Sequence, residues 1–296
     1  MNTTTIGWIG LGNMGIPMSQ RLIGAGYPVT VYNRNRAKEA ALKTAGAMTA
    51  ETSADLISKT DVVFIMVTDD QAIREIFTGD NGLFSAKTSG KLIINMSTIS
   101  PVISQEFGRL CNEQDNEYLD APVSGSVKQA LDGQLVIMVG GSQTAFDQAT
   151  PLFRHLGKLS LHLGDHGAGN TAKLAINVLL SFHAQGLAEA TLFAQQHGVK
   201  TEDFMTIFNN SAMSNVFGKI KGDAIIAGNY GAAFSIKNIA KDLRLAKALG
   251  LTTPLAQTAY KTFQDAEPEY GDLDIIAVIK QVALAQTAAP GLVKRT

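Results

Sequence analysis

The 296-residue sequence predicts an α/β domain on a largely parallel sheet, a long connecting helix and an all-α C-terminal domain. Three observations predict it. Through the first half, short apolar runs alternate with amphipathic stretches. From about Gly167 to Gln196 the chain is small and apolar, with no turn chemistry strong enough to end a helix. After Leu163 no segment reads as a strand. Strands alternating with helices of this length build βαβ units and hence a parallel sheet.

In chain order, the strand candidates are "TIGWIG", "PVTVYN", "DVVFIMV", "KLIINMS", "EYLDAPV", "LVIMVGG" and "LSLHLG". Gly, Asp, Asn or Ser bounds nearly all of them. Between the early runs lie helical stretches such as "MGIPMSQRLIGAG" and "RAKEAALKTAG", the second closed by Gly46. "LDGQL" reads as a turn, which allows antiparallel strands at the far edge. The long helix tolerates Gly186, since one glycine costs about 1 kcal/mol, and His197-Gly198 closes it. "TEDFMTIFNNS", "SIKNIAKDLRLAKALG", "PLAQTAYKTFQDAE" and "DLDIIAVIKQVALAQ" are the helices that follow, and the last few residues read as a loose tail. The expected domains are 1–164 and 165–296, with 165–196 as the connecting helix.

Composition narrows the function classes. Apolar residues make up 45% and charged residues 17%, the profile of a globular chain, and a net charge of -1 gives no footing for nucleic acid. Cys111 is the single cysteine, which excludes a disulfide framework and a thiolate metal cluster. The start lacks a signal-peptide pattern, and no apolar run approaches the roughly 20 residues that span a bilayer. A cytoplasmic protein without membrane partners is expected. The five histidines form no ligand set and no HExxH occurs, so no metal is expected. Trp8 and Cys111 are expected to pack in the core.

The first motif is "GLGNMG", comprising Gly10, Leu11, Gly12, Asn13, Met14 and Gly15. Alone, six such residues are compatible with a plain glycine turn. Here they follow a strand and open a helix whose first turn accepts Pro17. In that context Gly10 permits a tight turn, Gly12 the approach of a pyrophosphate, and Gly15 close helix packing. The helix N-terminus supplies N–H groups for phosphate. This is the pattern of a Rossmann-type domain. An NAD site places Asp or Glu about 20 residues beyond the loop. "VYNRNR" puts Asn33 there, followed by Arg34 and Arg36, which suits a 2′-phosphate and favours NADP(H), with NAD(H) possible. Arginines that merely solvate a helix start are the alternative.

The blocks together resemble the β-hydroxyacid dehydrogenase family over essentially the whole chain. This group includes 3-hydroxyisobutyrate dehydrogenases, tartronate semialdehyde reductases and glyoxylate/succinic semialdehyde reductases. "GWIGLGNMGIPM" resembles its cofactor loop, "DAPVSGS" its substrate block, "GAGNTAKLAIN" its catalytic block and "AFSIKNIAKDLRLA" its C-terminal block. The resemblance implies Lys173 as general acid/base and Asn177, four residues on and on the same helix face, as its catalytic partner. Without the resemblance, a lysine that snorkels to solvent is the better reading. It also implies Ser124, Gly125 and Ser126 as a carboxylate cradle, although "VSGS" alone is equally a turn. Val67, Thr68, Thr98 and Lys241 match cofactor positions, and Phe234 and Asp242 match substrate positions along with Lys173 and Asn177. Arg244 and Lys247 read as surface residues.

The implied activity is NADP(H)-dependent interconversion of a short β- or γ-hydroxy acid and its semialdehyde, in a homodimer or homotetramer. The related 6-phosphogluconate dehydrogenases carry a histidine where Ile176 stands, and the imine reductases usually replace the lysine. A non-catalytic NADP-binding or chromatin-associated module is the remaining alternative; such relatives tend to lose the lysine.

Overall fold

A computed structural model describes residues 4–288, so the expected C-terminal tail lies outside the described residues. Six strands run parallel: β1 (Ile6–Ile9), β2 (Val29–Tyr32), β3 (Met48–Thr49), β4 (Val62–Ile65), β5 (Leu92–Asn95) and β6 (Glu117–Asp120). Their order is β3-β2-β1-β4-β5-β6, with Ile6 in register with both Val29 and Val62. The order reverses between β1 and β4, and in open α/β sheets ligands bind at the carboxyl ends of strands at such a switch. The far edge carries β7 (Val123–Ser124), β8 (Leu135–Gly141) and β9 (Gly157–His162). β8 runs antiparallel to β6 and β7 and parallel to β9, as the turn in "LDGQL" allows.

Both faces of this sheet are buried, which is why its central strands read as unbroken apolar runs. Ile6, Trp8, Val62, Phe64, Leu92 and Ile94 point to one face. They pack on α1 (Gly15–Gly24) and on a later helix, Gln143–Leu156, through Met18, Leu22, Leu152 and Phe153. Ile9, Val63, Ile65 and Ile93 point the other way. The helices of the remaining crossovers are α2 (Ala40–Thr44), α3 (Ser53–Ser58), α4 (Asp70–Thr78), α5 (Pro101–Asn112) and α6 (Val127–Asp132), with α7 the helix Gln143–Leu156. Cys111 of α5 lies in the second core with Phe77 and Phe107, and burial pushes its thiol pKa up.

The stretch "RAKEAALKTAG" departs from a single helix: a 3-10 turn, Arg36–Glu39, precedes a five-residue α2. Asn35 caps the turn through Ala37 N, and the Glu39 carboxylate folds back onto Asn33 N and Arg36. Those local bonds tighten the first turn.

α8 spans Ala168–Gln196, and the chain divides into two compact units inside it, between Lys173 and Leu174. In the second unit, α8 is followed by α9 (Thr201–Asn210), α10 (Val216–Ala227), α11 (Ile236–Ala248), α12 (Pro254–Tyr270) and α13 (Val278–Ala288). Its core holds Leu187, Met205, Ile239, Leu243, Phe263 and Ile276. A buried ion pair, Lys221 Nζ to Asp274 Oδ1 at 2.7 Å, ties α10 to the segment before α13. Asp274 also accepts from Ala233 N at 3.0 Å, which anchors the entry to α11.

Candidate functional site

Within the first unit the glycine loop sits between β1 and α1, at the sheet's switch point. Gly10 has φ +97°, and a Cβ there would lie 2.2 Å from Met66 O. A Cβ on Gly15 would lie 2.0 Å from Gly10 O. The fold itself therefore requires both glycines. Gly12 differs, because a Cβ there meets nothing within 4 Å. Its missing side chain serves no packing need of the chain and keeps open the space over the loop. That is the room a dinucleotide pyrophosphate requires, so the residues present fit such a group. Leu11 is buried and Asn13 exposed, while Met14 occupies the N-cap position of α1. Trp8 Nε1 donates to Gly10 O at 3.1 Å and supports the turn from below.

The end of β2 separates three residues that look alike in sequence. Asn33 Oδ1 accepts from Leu11 N at 2.9 Å, so this amide braces the glycine loop. The Arg36 guanidinium donates to Ala50 O at 2.8 Å and Glu51 Oε1 at 3.0 Å, and pairs with Glu39, which is 1% exposed. Arg36 is a tether. The Arg34 side chain is 93% exposed, with only a loose 3.9 Å approach to Glu75.

At the ends of β4 and β5, Val67 N donates to Ser97 Oγ at 2.9 Å and Thr68 Oγ1 to Asp69 Oδ2 at 2.9 Å. Thr98 is half-buried beside Ile99. Beyond β6, Ser124 lies in β7 and Gly125 has φ +142°. The Ser126 backbone N–H donates to Gln129 Oε1 at 2.9 Å, and its hydroxyl donates to the same oxygen. These bonds place Ser126 as the cap of α6. A hydroxyl so engaged is held in place and less available to a ligand than Ser124.

Sequence reasoning passed over Asp120 and Asn170. Asp120 is fully buried; its Oδ1 accepts from Gly167 N at 2.7 Å and its Oδ2 from Asn170 N at 2.8 Å. Burial pushes its pKa up to about 6, against the lowering effect of those N–H groups and of His166. Asn170, also fully buried, accepts from Ile99 N at 2.9 Å and donates to Ser104 Oγ at 3.1 Å. The available signal was a carboxylate ending an apolar run in "EYLDAPV" and an amide in the first turn of an apolar helix. Lys173, half-buried, follows Asn170 by three residues on α8.

In the second unit, Asn177 Nδ2 donates to Asp242 Oδ2 at 2.6 Å. Lys241 Nζ lies 3.1 Å from Asp242 Oδ1. Asn177 and Asp242 are both buried, so this amide–carboxylate bond is made away from water. Phe234 is half-buried against this unit's core, just before α11. Arg244 pairs with Glu267, and Lys247 Nζ sits 4.0 Å over the Tyr260 ring, as surface side chains do. Among the described residues, no group of three His, Cys, Asp or Glu side chains is placed to hold a metal ion, and no helix is long and apolar enough to cross a membrane.

Comparison with known proteins adds to this geometry. Residues 5–164 match the family described as the NAD binding domain of 6-phosphogluconate dehydrogenase. Residues 167–282 match the family described as NAD-binding of NADP-dependent 3-hydroxyisobutyrate dehydrogenase. The chain is 34% identical over 284 residues to 2-hydroxy-3-oxopropionate reductase of Escherichia coli, covering 94% of this chain and 97% of that protein. It is 34% identical over 286 residues to glyoxylate/succinic semialdehyde reductase 1 of Arabidopsis thaliana, covering 95% and 99%. A solved 3-hydroxyisobutyrate dehydrogenase of Mycobacterium tuberculosis, with L-serine, is 29% identical with TM-score 0.86, covering 95% of this chain and 99% of that one.

Proposed function

The chain belongs to the β-hydroxyacid dehydrogenase family of oxidoreductases, and on that premise we propose that it uses NADP(H) to interconvert a short carboxylate-bearing hydroxy acid and its semialdehyde, with Lys173 as general acid and base. The observation that carries the reading is the placement of Lys173. It follows the buried first turn of α8, in the unit that also holds the glycine loop and the Thr98 segment.

A bound dinucleotide supplies the hydride. In reduction, Lys173 Nζ as ammonium gives a proton to the carbonyl oxygen of the substrate; in oxidation, neutral Nζ takes the proton of the hydroxyl. Asn177, one helical turn on, orients the substrate or Lys173 without adding charge. Ser124 and the Gly125 backbone receive the substrate carboxylate, with Ser126 capping the helix beneath them. Phe234 and Asp242 are proposed as further substrate-side residues, and Lys241 as a cofactor-side residue.

NADP(H) over NAD(H) rests on Arg34. Its guanidinium is 93% exposed, and no carboxylate takes the place of Asn33 at the end of β2. The proposed division of labour gives residues 1–164 most of the dinucleotide contacts together with the carboxylate cradle, and 165–296 the remaining substrate-side residues and assembly into a dimer or tetramer. Apolar side chains on the helical unit, Phe193 at 63% and Ile207 at 64% exposed, support a self-association surface.

The test is a kinetic panel with NADPH and glyoxylate, succinic semialdehyde, methylmalonate semialdehyde and tartronate semialdehyde, followed at the NADPH absorbance. Turnover of at least one is expected, and tight NADPH binding with no oxidation across the panel sinks the enzyme reading. Lys173→Ala is expected to lower kcat by about 10²-fold or more, with NADPH affinity within about twofold. A mild loss rejects Lys173 as the acid.

A further inference from the structure

We infer that Asp120 and Asn170 form a positioning pair, which fixes Lys173 by bolting the first turn of α8 to the ends of β5 and β6. The inference rests on Lys173 being the proton donor. Neither residue is proposed to touch substrate or cofactor.

A helix begins with backbone N–H groups that its own ladder leaves unpaired, and a side chain at its N-cap usually answers them. In α8, Ala168 N donates to the nearby Asp165 O, while the N–H groups of Gly167 and Asn170 are answered from elsewhere in the chain. Asp120, the last residue of β6, presents one carboxylate oxygen to Gly167 N at 2.7 Å and the other to Asn170 N at 2.8 Å. Asn170 then extends the junction sideways: its Oδ1 takes Ile99 N at 2.9 Å and its Nδ2 reaches Ser104 Oγ on α5 at 3.1 Å. Asp120, Asn170 and Ser104 are all fully buried.

The backbone around them leaves no slack. A Cβ on Gly169 would stand 2.4 Å from Met138 O and 2.5 Å from Asp120 O. A Cβ on Gly140 would stand 2.5 Å from Asp120 Oδ1. Glycine at both positions lets the helix start lie directly against β6 and β8. Asn170 and Lys173 are three apart on α8, so the azimuth of one fixes the azimuth of the other. Ile99 adjoins Thr98, and Asp120 opens the run to Ser124. One buried junction therefore touches three of the segments expected to form the site.

The charge at Asp120 has a use in this arrangement. Burial raises its pKa to about 6, yet the group is still ionised at neutral pH. Ionised, it makes charge-assisted bonds to N–H groups at the positive end of the helix. A displacement of about 1 Å at a reacting group costs up to about 10²-fold in rate.

Three variants test the inference: Asp120→Asn, Asn170→Ala and the milder Ser104→Ala, which removes one bond only. Steady-state kinetics and hydrogen–deuterium exchange of the peptide covering 167–173 are measured on each. The expected result is a kcat about tenfold or more lower for the first two and about two- to fivefold lower for Ser104→Ala. KM for the aldehyde and Kd for NADPH should stay within about threefold, with faster exchange confined to the start of α8. Folded variants with wild-type kcat, or a loss residing wholly in KM, overturn the inference. If Asp120→Asn and Asn170→Ala fail to fold, Ser104→Ala decides by the same criteria. If the wild type turns over none of the panel, it is the functional reading that has failed. The junction is then judged by the labelling rate of Lys173 with trinitrobenzenesulfonate: a several-fold change in the variants supports it, and an unchanged rate with unchanged exchange overturns it.

Discussion

Asn177 Nδ2 donates to Asp242 Oδ2 at 2.6 Å, joining α8 to α11 through two buried side chains of the helical unit. The bond assigns the amide: its nitrogen end is turned to Asp242, and Oδ1 is its acceptor end. Asp242→Ala should leave a buried donor without its partner, which costs about 1–3 kcal/mol. The expected outcome is a lowered denaturation midpoint together with a kcat reduced by about tenfold. A stable Asp242→Ala protein with full activity would show that the pair neither holds the unit nor orients Asn177.

Arg34 and Arg36 should part company on substitution. Arg34→Ala removes an exposed guanidinium and should weaken NADPH by about tenfold or more, leaving NADH nearly unchanged. Arg36→Ala removes the tether to Ala50 and Glu51 and strips the buried Glu39 of its closer ion-pair partner, leaving Lys43 Nζ at 4.0 Å. That variant should lose stability and affect the two dinucleotides alike. Isothermal titration with each, beside thermal melts, distinguishes the outcomes; equal loss of both dinucleotides in Arg34→Ala rejects the 2′-phosphate contact.

The three loop glycines should also respond differently to alanine. At Gly12 the added methyl meets nothing within 4 Å, so stability should change by no more than about 0.5 kcal/mol. Dinucleotide affinity should fall, since the methyl enters the space over the loop. Alanine at Gly10 or Gly15 is driven into backbone oxygens at 2.2 Å and 2.0 Å, and should destabilise the fold itself. Binding unchanged in Gly12→Ala would mean that the pyrophosphate lies elsewhere.

Asp120 gives a pH signature. Its pKa of about 6 in the folded chain exceeds the unfolded value of about 3.9, so the folded state holds this proton more tightly. Its contribution therefore favours folding fully below about pH 4 and is lost as pH rises through about 6, an effect on the order of 3 kcal/mol at most. Asp120→Asn should remove that slope, so the variant gains on the wild type between pH 4 and 6 in urea titrations. His166 and Tyr118 face the same spot, with His166 Nε2 3.0 Å from Tyr118 O. Repeating the titrations in His166→Gln isolates the carboxylate. A difference that does not change with pH would contradict the raised pKa.

Much of the fold was legible because its signals are local. A strand buried on both faces announces itself by an unbroken apolar run, and the glycine loop by spacing between strand and helix. The two-residue strands β3 and β7 were not, since two residues carry no period. Within the candidate site, type and spacing pointed to Gly10 and Gly15, and the family resemblance to Lys173, but neither separated Arg34 from Arg36. Only tertiary neighbours, Ala50 and Glu51, make that distinction. Asp120 escaped notice for the same reason. Its partners are backbone N–H groups 47 and 50 residues away, and a backbone group has no identity in a sequence. Ser126 shows the converse: a hydroxyl that looked ready for a ligand is engaged by Gln129, three residues on.

Trp8 is the sole tryptophan of the chain, fully buried, stacked on Phe64 at 5.2 Å and bonded to Gly10 O. Its indole is thus a single built-in fluorophore placed beneath the glycine loop. Emission from the native protein reports on that spot alone, without labelling and without a second tryptophan to subtract. Distortion of the turn changes the environment of the indole N–H directly. The optical signal of this protein is therefore a local one, centred where the loop meets the sheet.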